Sequence, residues 1–289
     1  MARKISKGRI AFQIVNYALL GALALSCFLP VVHMLAVSLS DKIYAEPKLV
    51  GLIPKGFTLG AYRTLFAGRT FSHALLVSVI RTLAGTAANV VLTVLLAYPL
   101  SKNSREFPFR AVYMTLCLIV MVFNAGLVPN YLFLNGLGLF DTVWVLILPG
   151  AAPVFSAVLM MNFMRALPKD IEEAAMIDGA GYFRMLAAVV APLSLPSIAT
   201  VSLFAFVGHW NSWFDGLLYN RSMDHYPLQT YLQVVLTARA PSNIDSAATQ
   251  VGQNLKAAQI FIAMVPLLLV YPFAQRFFVT GITMGSVKG

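Results

Sequence analysis

Apolar residues run along this chain in long blocks separated by short polar breaks. The first block, residues 11–39, more than crosses a hydrocarbon core of about 30 Å at roughly 1.5 Å per helical residue. Five further blocks follow at approximately 71–100, 109–131, 142–164, 188–214 and 258–280. Each is long enough for a crossing helix, tilted where it outruns the core. Gly85, Pro149, Pro153 and Pro266 fall inside these blocks, where neighbouring helices can satisfy the backbone groups they free. The pattern predicts an all-α, polytopic membrane protein with six transmembrane helices, its two termini on the same side.

Composition agrees. Of 289 residues, 59% are hydrophobic and 11% charged, and mean hydropathy is +0.77, whereas soluble domains carry about a quarter charged residues. The net charge of +10 does not point to nucleic acid, because the basic residues cluster at the ends of apolar blocks and form no stripe. Retention of loops on the cytoplasmic side explains them better. With the termini inside, twelve Lys and Arg fall on that face and eight on the other, with Arg81 apart within the second block. The basic start (Arg3, Lys4, Lys7, Arg9) followed by apolar residues, with LALSC at 23–27, imitates a cleavable signal. The apolar pattern continues past Cys27 without an A-x-A site, so the reading is an uncleaved first span. Cys27 and Cys117 each lie inside an apolar block, which suggests packing residues and no disulfide framework.

One stretch breaks the apolar rhythm most sharply. Residues 167–196, LPKDIEEAAMIDGAGYFRMLAAVVAPLSLP, form an acidic, small-residue island. Pro168 suits the first position of a helix, and Asp170, Glu172 and Glu173 suit its first turns. Leu167, Ile171, Ala174 and Asp178 fall at helical spacing on one face, with Ala175 beside them. Gly179 and Gly181 can end or bend the helix. The spacing also carries a resemblance. Glu173-Ala174-Ala175, a glycine six residues after that Glu, and Pro192 thirteen beyond Gly179 resemble the EAA loop of ABC-importer permeases. The string EEAAMIDGA…PLSLP is similar to the carbohydrate-uptake branch, typified by the maltose permease. In that family the loop is a cytoplasmic coupling helix seated in a cleft of the ATPase subunit. The resemblance therefore implies ATPase-coupling roles for Glu172, Glu173, Ala174, Ala175, Asp178 and Gly179, in a coupling loop at about 167–191. An ordinary interfacial helix joining two spans is the plain alternative.

Other stretches resemble the same family. PKGFTLGAYRTLF, at 54–66, resembles a pre-span segment lying along the membrane surface. Residues 123–150 and the string GHWNSWF at 208–214 resemble an LplC-like branch of the sugar permeases. Asn124 and Asn130 either present amides to a sugar path or cap broken helix ends. His209, Trp210, Asn211, Trp213 and Asp215 form the densest aromatic and polar cluster in any span. That mixture suits a pyranose, whose C–H faces are apolar and whose rim is hydroxylated, and it also suits an interfacial belt. Trp210 with Trp213, and Asn211 with Asp215, have the spacing to share a helix face. Arg81, about three turns into its block, is by default a functional candidate; the preferred reading is that it snorkels to the headgroups or pairs within the bundle. The ending GITMGSVKG resembles the maltose permease tail, which extends between the ATPase subunits. That implies contacts for Gly285, Ser286 and Lys288, against the alternative of a frayed terminus.

Several classes are disfavoured. No G-x-x-x-x-G-K-[ST], HExxH or paired-cysteine metal motif occurs, so nucleotide binding by a P-loop is excluded and no metal site is expected. A membrane-embedded hydrolase would rest on Ser212 and His209 without a G-x-S-x-G elbow. A secondary transporter would show half-to-half symmetry and midplane charges, which are not evident. The expectation is one transmembrane domain over 1–289, multi-pass in the bacterial cytoplasmic membrane. The resemblance implies a second, non-identical permease chain, two ATPase subunits holding ATP and Mg, an extracytoplasmic solute-binding protein and a sugar substrate. The LplC-like features suggest an oligosaccharide, and the basic outer loops tolerate an acidic one. No cofactor is expected on this chain and no catalytic residue.

Overall fold

The computed structural model describes residues 7–237 and 252–285. Every regular element among them is helical. In order they are α1 (Lys7–Ser38), α2 (Lys42–Ala45), α3 (Gly60–Ala67), α4 (Arg69–Ser101), α5 (Arg110–Val122), α6 (Leu127–Gly136), two 3-10 turns (Val143–Leu146 and Leu148–Gly150) and α7 (Val154–Arg165). Then come α8 (Lys169–Ile177), α9 (Tyr182–Met185), a π-helical turn (Leu186–Val190), α10 (Ala191–Leu193), α11 (Leu195–Asn211), α12 (Phe214–Tyr219), a 3-10 turn (Met223–His225), α13 (Leu228–Thr237) and α14 (Gln253–Gly285). Three helices are long and apolar enough to cross a membrane, and three bent pairs qualify when each pair counts as one crossing. Three of the six expected crossings are continuous helices, and the count reaches six when each bent pair is taken as one crossing.

The breaks have local causes. The third crossing was expected over approximately 109–131, with helix breakers from residue 123 on. It stops at Val122 and turns by 113° into α6. Phe123 is extended, Gly126 takes a left-handed φ of 88°, and the Asn124 side chain accepts the Gly126 N–H at 2.8 Å, closing the turn. At 13 residues α5 rises only about 20 Å, short of the core on its own. The fourth crossing bends by 48° around Pro149 and Pro153. The fifth bends by 82° at Ser194, between Pro192 and Pro196, just after the π-helical turn. Prolines remove the donors a straight helix would need there.

The described residues fall into two compact units. One takes the chain up to Arg69 together with Leu236–Val265. In it α1 exposes Phe12, Ile14, Tyr17, Leu19 and Phe28 around its surface, the mark of a helix meant for lipid or a partner helix. Cys27 is also exposed, so the packing role expected of it holds only for the buried Cys117. The segment 54–66 contributes α3, which buries Ala61 and Leu65 and brings the Tyr62 hydroxyl to Ser38 Oγ at 2.7 Å. Burial pushes the Tyr62 phenol up, opposed by that hydrogen bond. Glu46 accepts the first amide of α14, at Gln253, at 3.1 Å, a carboxylate at the positive end of a helix.

The other unit takes Thr70–Val235 and the chain from Pro266. Its spine is α4. The buried face of α4 is polar or small through its middle: Ser78, Arg81, Thr82, Gly85, Asn89 and Thr93. The opposite side exposes Leu76, Ile80, Leu83, Val91 and Leu95. This is the reverse of a soluble helix and is what a span needs when lipid lies outside and a polar path inside. Towards its C-terminus α4 turns apolar, and Ala97, Tyr98 and Leu100 join Cys117, Met160, Met161, Met164, Met185, Leu186, Val190 and Val201 in the core. Four methionines fill the irregular space left by broken helices, a task suited to their flexible side chains.

Candidate coupling helix and polar cavity

The segment 167–196 opens with α8, as its caps and charges predict, shifted by one residue at its start. Pro168 lies just outside the helix in an extended conformation and Lys169 is its first residue. Gly179 takes φ 77°, its N–H donates to the Met176 carbonyl, and the Ala180 N–H donates to the Ala175 carbonyl. This is a Schellman closure, in which glycine carries the left-handed residue at no steric cost.

No residue of α8 is fully buried. Leu167, Ala175 and Ala180 pack against the methionine-rich core, while Ile171, Glu173, Ala174, Met176, Asp178 and Gly179 are exposed and Ile177 is 87% exposed. Leu167 therefore leaves the face it was expected to share with Ile171, Ala174 and Asp178. The six residues singled out in this loop divide. Glu173, Ala174, Asp178 and Gly179 are available to a partner, whereas Glu172 and Ala175 turn towards their own chain. Glu172 is ion-paired with Lys102, just beyond the end of α4. Lys102 is 7% exposed, and its ammonium sits 4.5 Å from the centroid of the Tyr98 ring, worth about 0.5–2 kcal/mol according to desolvation. Beside this pair lies a cavity of about 420 Å³ lined by residues including Asn103, Glu106, Arg165 and Tyr182.

A second, polar cavity of about 480 Å³ lies along α4 towards its other end, between α4, the 3-10 turn at 148–150 and α11. Arg81, Asn89, His209, Ser212, Asp215 and Tyr219 are among its lining residues. Arg81, 2% exposed, is ion-paired with Asp215, and its Nη1 also donates to the Ser212 carbonyl at 3.2 Å. Asp215 Oδ1 further accepts Ser212 Oγ at 2.8 Å and the Gly216 N–H at 2.9 Å. The pair sits where α11 ends and α12 begins: the cation meets a carbonyl at a helix C-terminus and the carboxylate an amide of the following first turn, the favourable arrangement at such a break. Arg81 thus pairs within the protein, the first of the two outcomes anticipated for it being headgroup snorkelling.

His209 Nε2 lies 3.1 Å from Asn89 Oδ1, and Asn89 Nδ2 donates to the Gly150 carbonyl at 2.7 Å. The imidazole occupies a slot over Gly85, where a Cβ would stand 2.5 Å from Nε2. Glycine costs about 1 kcal/mol against alanine inside a helix, and here the ring fills the space a side chain would take. Gly85→Ala is expected to push the ring off Asn89 and cost about 1–3 kcal/mol through overpacking. In the thermal unfolding of purified protein, Gly85→Ala combined with His209→Ala should lose less than the two separate losses added together.

The remaining sequence candidates are not all brought to this cavity. Trp210 is 2% exposed and stacks on Phe206 at 6.4 Å; Trp213 is exposed against Phe214. The shared face expected for Trp210 with Trp213, and for Asn211 with Asp215, does not form, because the helix ends at Asn211 and Ser212 is extended. Asn211 is exposed. Asn124 takes the capping role described above, Asn130 is exposed on α6, and neither lines the cavity. Gly285 is the last residue of α14, and Ser286 and Lys288 lie outside the described residues. Ser212 donates to Asp215 and His209 engages Asn89, so the nucleophile–base contact of a hydrolase is not made. No group of three or more metal-ligating side chains occurs among the described residues.

Asn89, Gly85 and Lys102 are functional candidates that the sequence reading passed over. A signal was present for two of them. Ser78, Arg81, Thr82, Gly85, Asn89 and Thr93 recur at helical spacing in an otherwise apolar block, and a polar stripe of that kind is costly in lipid unless it faces inward.

Comparison with known proteins follows the same line. Residues 89–284 match the family model described as a binding-protein-dependent transport system inner membrane component. The polygalacturonan/rhamnogalacturonan transport system permease protein YtcP of Bacillus subtilis (strain 168) is 38% identical, the match covering 96% of this chain and 98% of that protein. The protein LplC of the same organism is 38% identical over 98% of this chain and 96% of its own length. The fold is similar, with a TM-score of 0.86 and 28% identity over 96% of this chain and 100% of the other, to that in a crystal structure of a bacterial ABC transporter involved in the import of the acidic polysaccharide alginate. With a family match over more than half its length and near full-length permease relatives, this multi-pass membrane chain belongs to the family of binding-protein-dependent transport system inner membrane components, the permeases of ABC importers.

Proposed function

We propose that this chain is one of two non-identical permease subunits of an ATP-driven importer of carbohydrate oligomers, with acidic oligosaccharides of the uronate class as its substrates. A solute-binding protein delivers the substrate on the outer side. Two ATPase subunits, holding ATP and Mg, receive α8 on the inner side, where both termini also lie. The observation that carries the coupling role is the exposure of α8. It is a short helix that buries none of its residues fully and presents Glu173, Ala174, Ile177 and Asp178 outward. The family match and the basic residues around the loop support the inward orientation.

The substrate class is supported by what the relatives are said to carry, a polygalacturonan/rhamnogalacturonan in one case and alginate in another. The polar cavity supports a role in the path for His209 and Asp215, with Arg81, Asn89 and Ser212 joined to them. His209, Ser212 and Tyr219 offer a sugar both hydrogen-bonding groups and an aromatic surface. Asn124, Asn130, Trp210, Asn211 and Trp213 belong to the breaks and packing around that path. The tail at Gly285, Ser286 and Lys288 completes the contact with the ATPases.

The test is uptake by proteoliposomes carrying the assembled importer. Oligogalacturonate offered with its binding protein should accumulate only when ATP is inside the compartment that faces the ATPases. A neutral malto-oligosaccharide should not accumulate. Accumulation without ATP, driven by an ion gradient, would instead establish a secondary transporter.

A further inference from the structure

We infer that α4 is the rigid link between the ATPase-facing helix and the polar cavity, and that the Lys102–Glu172 ion pair is the joint through which it is driven. The inference rests on the coupling role of α8 argued above and adds which part of the bundle that helix moves.

The bonding of α4 is the basis. Along one helix and the residue that follows it, polar side-chain bonds reach six other elements. Ser78 Oγ accepts the Leu228 N–H at the start of α13 at 2.6 Å. Arg81 holds Asp215 of α12 and the Ser212 carbonyl that closes α11. Asn89 holds the Gly150 carbonyl of the 3-10 turn and His209 of α11. At the far end, Arg110 Nε of α5 donates to the Leu100 carbonyl at 2.9 Å, and Lys102 holds Glu172 of α8. Lys102 lies 13 residues beyond Asn89 and 21 beyond Arg81, about 20 and 32 Å along a helix. A displacement of α8 therefore reaches the cavity through α4, a single helix that holds Pro99 in its last turn, without crossing any of the bends in the third, fourth and fifth crossings.

The joint itself is selective. The contacts of α8 with the core through Leu167, Ala175 and Ala180 are small side chains or lie at its ends. Glu172 is the residue of α8 with a charged partner just beyond the end of α4, 70 positions away in sequence. Lys102 is almost fully enclosed and is held from below by the Tyr98 ring. A buried pair of this sort adds little net stability against an apolar replacement but fixes one geometry. That is the property a mechanical joint requires. The coupling then has a stated physical route, which spatial proximity alone does not supply.

The test uses the assembled importer in proteoliposomes and reads oligosaccharide taken up per ATP hydrolysed. Lys102→Glu and Glu172→Lys each place like charges together and should lower that ratio about tenfold, while the double exchange K102E/E172K should restore it to within about twofold. The neutral pair Lys102→Met with Glu172→Gln leaves no lone buried charge and keeps the stem on Tyr98. It should fold and insert normally yet remain uncoupled. Normal uptake per ATP in that neutral pair would overturn the inference, as would a double exchange that inserts but fails to recover. Glu173→Lys is the reference. If it too transports normally, the coupling role of α8 fails; if it uncouples while the neutral pair transports normally, only the α4 joint fails.

Discussion

Glu173→Lys and Ala174→Trp are expected to leave the protein inserted and monodisperse while uptake falls by about tenfold or more, the scale of a lost coupling free energy of about 1–3 kcal/mol. Both side chains are exposed on α8, Ala174 is not among the residues packed against the methionine-rich core, and Glu173 also borders the cavity beside Lys102, so a change in them is felt chiefly by whatever seats against that face. A bulky side chain at Ala174 blocks close approach of the two surfaces. Lysine at Glu173 reverses a charge in the middle of α8, past the first turn where the helix dipole acts, so the helix itself loses too little to unfold the protein. Ala175→Trp is the contrast: Ala175 is packed against the core, and overpacking there costs about 1–3 kcal/mol. Measured together, uptake per ATP and thermal unfolding should separate the residues. Glu173 and Ala174 variants lose the first and keep the second, while the Ala175 variant loses both. Full uptake by the Glu173 and Ala174 variants would refute the coupling role.

The second large effect is expected at Arg81 and Asp215, and it is asymmetric. Breaking a buried ion pair by removing one partner costs about 3–5 kcal/mol, because the remaining charge stays buried. Asp215→Asn leaves Arg81, 2% exposed, as that charge. Arg81→Leu leaves Asp215, which is 26% exposed and still accepts from Ser212 Oγ and the Gly216 amide. Asp215→Asn should therefore lower the unfolding temperature in detergent more than Arg81→Leu. The double replacement Arg81→Leu with Asp215→Leu should restore most of the loss, since no lone charge remains. Equal losses from the two single changes would mean that the pair is more open to water than its geometry indicates.

Much of this was legible in the chain. Asp170 and Glu172 near a helix start, Gly179 at its end, and the spaced glycine and proline beyond announced α8 because capping acts within a few residues. Pro192, Pro196 and the Asn124–Gly126 turn signalled where crossings would break, although the angles of 82° and 113° depend on what each segment packs against afterwards. The polar stripe of α4 was present as spacing but was hidden by the low polarity of single Ser, Thr and Asn residues in an apolar block. Of the cluster from His209 on, His209 and Asp215 line the cavity, and the shared faces expected within the cluster do not form. A spacing of three or four residues places side chains together only while the helix continues, and this one stops at Asn211.

What the amino-acid sequence determined by itself was the membrane class, the helical character of the apolar blocks, and the position of α8 to within a residue at its start. These follow from hydropathy and from bonds between residues a few positions apart, which any chain with this order of residues must satisfy. Only the tertiary structure decided that Arg81 would meet Asp215 across 134 positions, that Glu172 would turn inward to Lys102 while Glu173 turned outward, and that His209 would lie in the gap left by Gly85. A charge or an imidazole states in the sequence that it needs a partner. Which of the available partners it receives depends on the packing of distant helices, and that choice is made by the whole fold.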